Sequence, residues 1–114
     1  MSHHDDRGGV TVAACLALIA LLAVTVLVAQ IGVAVAGRHR VQSAADLAAL
    51  AAAGGLDGGT AAACARAEEI ASRMGARVVR CAVVDWDVTV ALQDRMSLGL
   101  LGTRLVRAEA RAGP

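Results

Sequence analysis

No charged residue occurs between Gly8 and Gly37. The stretch reads GGVTVAACLALIALLAVTVLVAQIGVAVAG, and Thr11, Thr25 and Gln30 are its only polar side chains. A soluble helix of this length carries a wet face along one side. This one has none. Runs above about 18 apolar residues are the mark of bilayer-spanning helices. At about 1.5 Å per residue, residues 10–36 reach about 40 Å, enough to cross a hydrocarbon core of about 30 Å with some tilt. The sequence therefore predicts a short tail over residues 1–9 and one transmembrane helix over residues 10–36. Gln30, inside that span, is placed to hydrogen-bond a partner helix.

Past the span there is room for one small domain, and domains under about 80 residues often need a staple. Its core must be built almost without aromatics, because Trp86 is the only one in the chain. Alanine and valine bury little area each, so a cross-link, the membrane or a partner has to supply part of the stability. The basic residues are all arginine and the formal charge is +1. With no basic tract and no set of stacking aromatics, nucleic acid is not an expected partner.

The three cysteines separate by position. Cys15 lies in the apolar run, packed or lipid-facing. Cys64 and Cys81 lie in the small domain, where the expectation is a disulfide, against the alternative of two buried thiols. A loop of that size closed by a disulfide gains about 3 kcal/mol on the chain-entropy argument. A zinc site would need four ligands, and the domain offers only Cys64, Cys81 and His39. His3, His4, Asp5 and Asp6 read as a solvated tail rather than a metal site. No metal and no cofactor is expected.

Two further choices concern the N-terminus. Ala34-Val35-Ala36 resembles a signal-peptidase site, and cleavage there would release a small secreted protein. Signal peptides, however, use apolar regions of about 7–15 residues and a positive leader. The run here is longer and the leader holds two aspartates, so an uncleaved anchor is the expectation. For orientation, Arg7 on one side stands against Arg38 and Arg40 on the other, which favours a cytoplasmic C-terminal side. Paired cysteines favour an oxidising compartment. The expectation follows the cysteines and places the small domain outside the cytoplasmic membrane.

Beyond the span, RHRVQSAADLAALAAA is helix-compatible up to Ala53, since alanine and leucine are strong helix formers. The helix is expected to continue over residues 37–53. Val41, Ala44, Ala48 and Ala51 fall on one stripe whose small residues let another helix approach. An alanine-rich helix covered by its own domain fits the same pattern. Gln42 and Asp46, four apart, share a polar edge. Residues 54–59 form a glycine-rich turn, after which Asp57 or Thr60 is expected to cap a second helix. That helix ends at Gly75 and turns Cys64, Ala67, Ile70, Ala71 and Met74 inward.

The period then changes to two. Val78 to Val84 reads as a strand and Asp85 as a turn. Trp86, Val88, Val90 and Leu92 form the buried side of a second strand, and Leu105 to Ala110 is a third. The fold class is α+β: a membrane helix extending out of the bilayer, then over residues 60–114 a helix packed on about three antiparallel strands. Motifs for catalysis are missing. Glu68 and Glu69 diverge by about 100° on a helix and cannot converge on one substrate. No enzyme and no small-molecule substrate is expected.

The segment Arg38 to Ala53, directly after an N-terminal membrane helix, resembles the TadE/TadG-like proteins of Flp (tight-adherence) pilus assembly. Their R-x-x-x-Q-x-A-A-D-x-A-A-L-A-A pattern falls on Gln42, Ala44, Ala45, Asp46, Ala48, Ala49 and Leu50. The Arg-His start, the later Cys64 and Cys81, and the ending ARAGP look most like the short actinobacterial TadE-like proteins of helicase and secretion gene neighbourhoods. The resemblance implies a pilin-like, membrane-anchored pseudopilin or assembly component of a pilus or related secretion machine. Its partners would be other pilin-like or Tad-type proteins, met through Gln30 and the helix residues just named. One departure stands out. Prepilin peptidase substrates carry a glutamate five residues after the cleavage-site glycine, and Val10-Thr11-Val12-Ala13-Ala14 comes after Gly9 here.

Overall fold

The computed structural model describes the backbone of residues 3–114 and side chains from Gly8 onward. The side chains of His3, His4, Asp5 and Asp6 lie outside the described residues. The element order is helix α1 (His3–Gly54), helix α2 (Thr60–Arg73), and strands β1 (Arg77–Val84), β2 (Asp87–Ser97) and β3 (Thr103–Ala112). Two compact units divide the chain, Met1–Val33 and Ala34–Pro114. This is an α+β chain with, among the described residues, one helix long and apolar enough to cross a membrane.

In the first unit every residue from Gly8 to Ala29 is exposed. Apolar side chains exposed on all sides of a helix are suited to lipid rather than water. Thr25 conforms to that solvent: its hydroxyl donates to the Leu21 carbonyl at 2.8 Å, so its donor is not left over in an apolar medium.

The second unit is a three-stranded antiparallel sheet in the order β1-β2-β3, covered on one face by helices. Val41, Ala44, Ala45, Ala48, Ala49 and Ala52 of α1 meet Ala63, Ala67 and Ala71 of α2 and Val88, Val90, Leu92, Val106 and Ala108 of the sheet. The largest fully buried side chains are Leu92, Val88 and Val90. The core is thus thin, and its alanines let the helices lie close to the sheet. At Gly37 the approach is closer still. A side chain there would collide with the Met96 sulfur, so Met96 would have to swing aside to keep its place beside the helix.

The sheet's outer face has its own logic. Arg80 and Glu109 both stand opposite Ala91 across the ladders. Their side chains pair at 3.4 Å and span the small Ala91, which is only 4% exposed although it faces away from the helices. Arg111 and Asp87 pair on a neighbouring part of the same face. Exposed pairs of this kind add little stability.

Two sequence expectations need correction. Trp86 is 61% exposed, because it occupies the two-residue turn with Asp85 rather than β2. Asp85 takes a left-handed φ of 56°, which aspartate tolerates better than most residues. The cap of α2 is neither Asp57 nor Thr60. Gly59 holds that position without a side-chain bond, Asp57 sits in a 3-10 turn, and Thr60 is already helical. The end of α2 is as expected, with Gly75 at φ 75°.

Candidate functional site

Cys64 on α2 and Cys81 on β1 are joined in a disulfide, with Cα atoms 5.9 Å apart. Strand alternation alone would not deliver this pairing. Val78 stands opposite Leu92 on the helix-facing side, so simple alternation puts Arg80 inward and Cys81 outward. A β-bulge between Val78 and Arg80 inserts one extra residue, Val79. It restores Cys81 to the inner face, opposite Val90. The bulge aims the cysteine at the helix. The third cysteine, Cys15, is free and exposed on the apolar helix.

The segment from Gln42 to Leu50 splits into two faces. Ala44, Ala45, Ala48 and Ala49 are buried at 1% or less in the chain's own core. Gln42, Asp46, Leu47 and Leu50 lie outside it, with Leu47 at 49% and Leu50 at 63% exposure. The small-residue stripe is therefore occupied by the sheet and α2. The surface left for another helix is the leucine side.

Gln42 has a role that spacing did not reveal. Its amide nitrogen donates to the Asp46 carboxylate at 3.1 Å and to the Glu109 backbone carbonyl at 3.2 Å. Glu109 belongs to β3, an edge strand. Asp46 orients the amide, and the amide covers one acceptor of the open edge. Gln42→Ala removes both bonds and is expected to cost about 0.5–1.5 kcal/mol, with faster amide exchange in β3. Unchanged exchange there would show that water serves the edge equally well.

Gln30 is half-buried, and its side-chain oxygen has no hydrogen-bond partner among the described residues. Glu68 and Glu69 are exposed, and Glu69 pairs with Arg73 on its own helix at 2.8 Å. No group of three or more metal-ligating side chains occurs among the described residues.

This anatomy has counterparts among known proteins. A family model described as Flp pilus-assembly TadE/G-like matches residues 8–67, just over half the chain. A stretch of 51 residues is 59% identical to the Apoptosis inhibitor Rv3654c of Mycobacterium tuberculosis (strain ATCC 25618 / H37Rv). That stretch covers 45% of this chain and 61% of the relative. No solved structure matches the chain. The chain belongs to the TadE/G-like family of Flp pilus-assembly proteins.

Proposed function

With that membership as premise, we propose that the chain is a non-enzymatic, single-pass membrane component of a Flp/Tad-type pilus or related secretion machine. It acts in the manner of a minor pseudopilin, with its small domain on the extracytoplasmic side. The carrying observation is that the family match over residues 8–67 takes in both the apolar helix and the Gln42–Leu50 segment. The Cys64–Cys81 disulfide supports an oxidising compartment. Gln30, a half-buried amide in the apolar span, supports a helix–helix contact, since such a side chain gains from a partner's hydrogen bonds. Partner proteins of the Tad type would meet Leu47, Leu50, Gln42 and Asp46, the side of α1 that the chain's own core leaves open.

A second reading has one observation in its favour. The mycobacterial relative is named an apoptosis inhibitor, and a released effector would arise here by cleavage after Ala36. One experiment separates the two. A Leu47→Glu, Leu50→Glu variant on a Cys15→Ala background is compared with its parent for membrane retention and for co-purification of Tad proteins. Impermeant maleimide is applied to intact cells before and after mild reduction. The assembly reading expects membrane-bound chain in both, labelling only after reduction, and lost co-purification in the variant. Chain found in the medium beginning at Gly37, or normal co-purification by the variant, would remove it.

A further inference from the structure

The loop between β2 and β3 is built unlike a solvent loop. It reads LGLLG from Leu98 to Gly102, with a 3-10 turn over Gly99–Leu101. The Leu98 amide donates to the Gly102 carbonyl at 2.7 Å, closing the loop into a defined tip. Leu98 is buried at 8%, whereas Leu100 is 91% exposed, Leu101 66% and Leu105 63%. Two exposed leucines on an ordered tip, Leu100 and Leu101, with Leu105 exposed on the adjoining strand, mark a surface that something apolar covers.

The position of the tip says what that is. Met96 rests on Gly37, and Gln42 bonds the carbonyl of Glu109, which stands opposite Ala91. Passing from Gln42 to Gly37 along α1 therefore matches passing from Ala91 to Met96 along β2. The strand runs antiparallel to the helix, and the residues after Ser97 lie beyond Gly37, toward Ala34. Leu98 and Ala34 indeed line the same groove, of about 710 Å³. Ala34, Val35 and Ala36 are the last residues of the apolar run, so the tip lies beside the end of that run. The groove's charged lining is of one sign: Arg38, Arg104 and Arg107, with no carboxylate among the described lining residues. Leucines flanked by arginines at this level match a leaflet, acyl chains beneath and phosphates at the rim.

We propose that the Leu98–Gly102 tip is a second membrane contact, in which Leu100 and Leu101 enter the headgroup–acyl boundary and Arg38, Arg104 and Arg107 hold the phosphate of an anionic phospholipid. The inference rests on α1 spanning the bilayer. It gives the small domain a second point of attachment to the bilayer besides α1.

The test uses the full chain on a Cys15→Ala background, with a polarity-sensitive fluorophore on Leu100→Cys, Val84→Cys or Leu22→Cys and the disulfide left intact. Vesicles are phosphatidylcholine alone or with about 30% phosphatidylglycerol. The Leu100 label is expected to be shielded from iodide and quenched by shallow spin-labelled lipid, more so in anionic vesicles. The Val84 label, at the opposite hairpin and 68% exposed, stays open to iodide. Arg104→Gln with Arg107→Gln is expected to raise iodide access at Leu100 in anionic vesicles by about fivefold or more, since each arginine near such a surface weights insertion by about fivefold. A Leu100 label as open as that at Val84, with Leu22 lipid-embedded, overturns the tip and leaves the leucines to a protein partner. A shielded Leu100 label indifferent to phosphatidylglycerol and to the arginines overturns the phosphate site. Iodide access at Leu22 overturns the spanning helix and the tip together.

Discussion

Replacing Cys64 and Cys81 with alanine is expected to destabilise the small domain by about 3 kcal/mol, the value for a closed loop of this size. The bond spans a sequence separation of 17 residues and joins α2 to β1. That loss is large here because the alternative glue is weak. Along α2 the buried contacts are three alanines, each worth little area. Domains of this class have total stabilities of about 5–15 kcal/mol, so the cross-link is a major share of what holds α2 down. The measurement is amide exchange of the full chain in detergent, where the apolar helix stays formed and the sheet reports on the domain. In the variant, α2 and β1 should exchange first and fastest, with β2 and β3 next as the sheet loses its cover. Equal exchange in α2 with and without the cysteines would mean that alanine packing alone suffices. Deleting Val79 should leave the disulfide formed, because Val78 and Arg80 already face the consecutive residues Leu92 and Ala91 and Cys81 still falls opposite Val90 on the inner face.

The elements legible in the sequence were those with a period. The apolar run had no wet side, α2 repeated every three to four residues, and the strands alternated. The misplacements have physical causes of the same kind. Trp86 continues the alternation of Val88, Val90 and Leu92, but a turn of two residues after Val84 needed it. β2 runs on to Ser97 although Gln93, Asp94 and Arg95 are polar, because ladder hydrogen bonds to β3 do not depend on side-chain hydrophobicity. The bulge at Val79 hides among β-branched neighbours that suit a strand either way. At the candidate surface, Gln42 and Asp46 were legible as a pair because i and i+4 meet on any helix. The bond from Gln42 to Glu109 crosses 67 residues, which no local rule reaches. The alanines of α1 were ambiguous for a deeper reason. Small residues serve close approach to a sheet or to a foreign helix equally well, and only the tertiary structure assigns them to the chain's own core.

That assignment leads to the other large effect. Leu92→Ala is expected to cost about 2–5 kcal/mol. Leu92 is fully buried on the central strand, between Val78 of β1 and Ala108 of β3. Its neighbours across the interface are largely alanines, which have no length with which to fill the space left behind. A cavity that cannot collapse sits at the upper end of the range. Leu92→Met, which keeps the volume, is expected to stay below about 1.5 kcal/mol. Amide exchange through β2 distinguishes them: faster throughout in the alanine variant, nearly unchanged in the methionine variant. Leu47→Glu with Leu50→Glu should behave differently from both. Leu92→Ala should lose partner binding because the domain opens. The glutamate variant should lose it with β2 exchange intact, since Leu47 and Leu50 lie outside the core. If exchange in β2 rises equally in both, the leucine side of α1 supports the fold rather than a partner, and the assembly surface must be sought elsewhere on the chain.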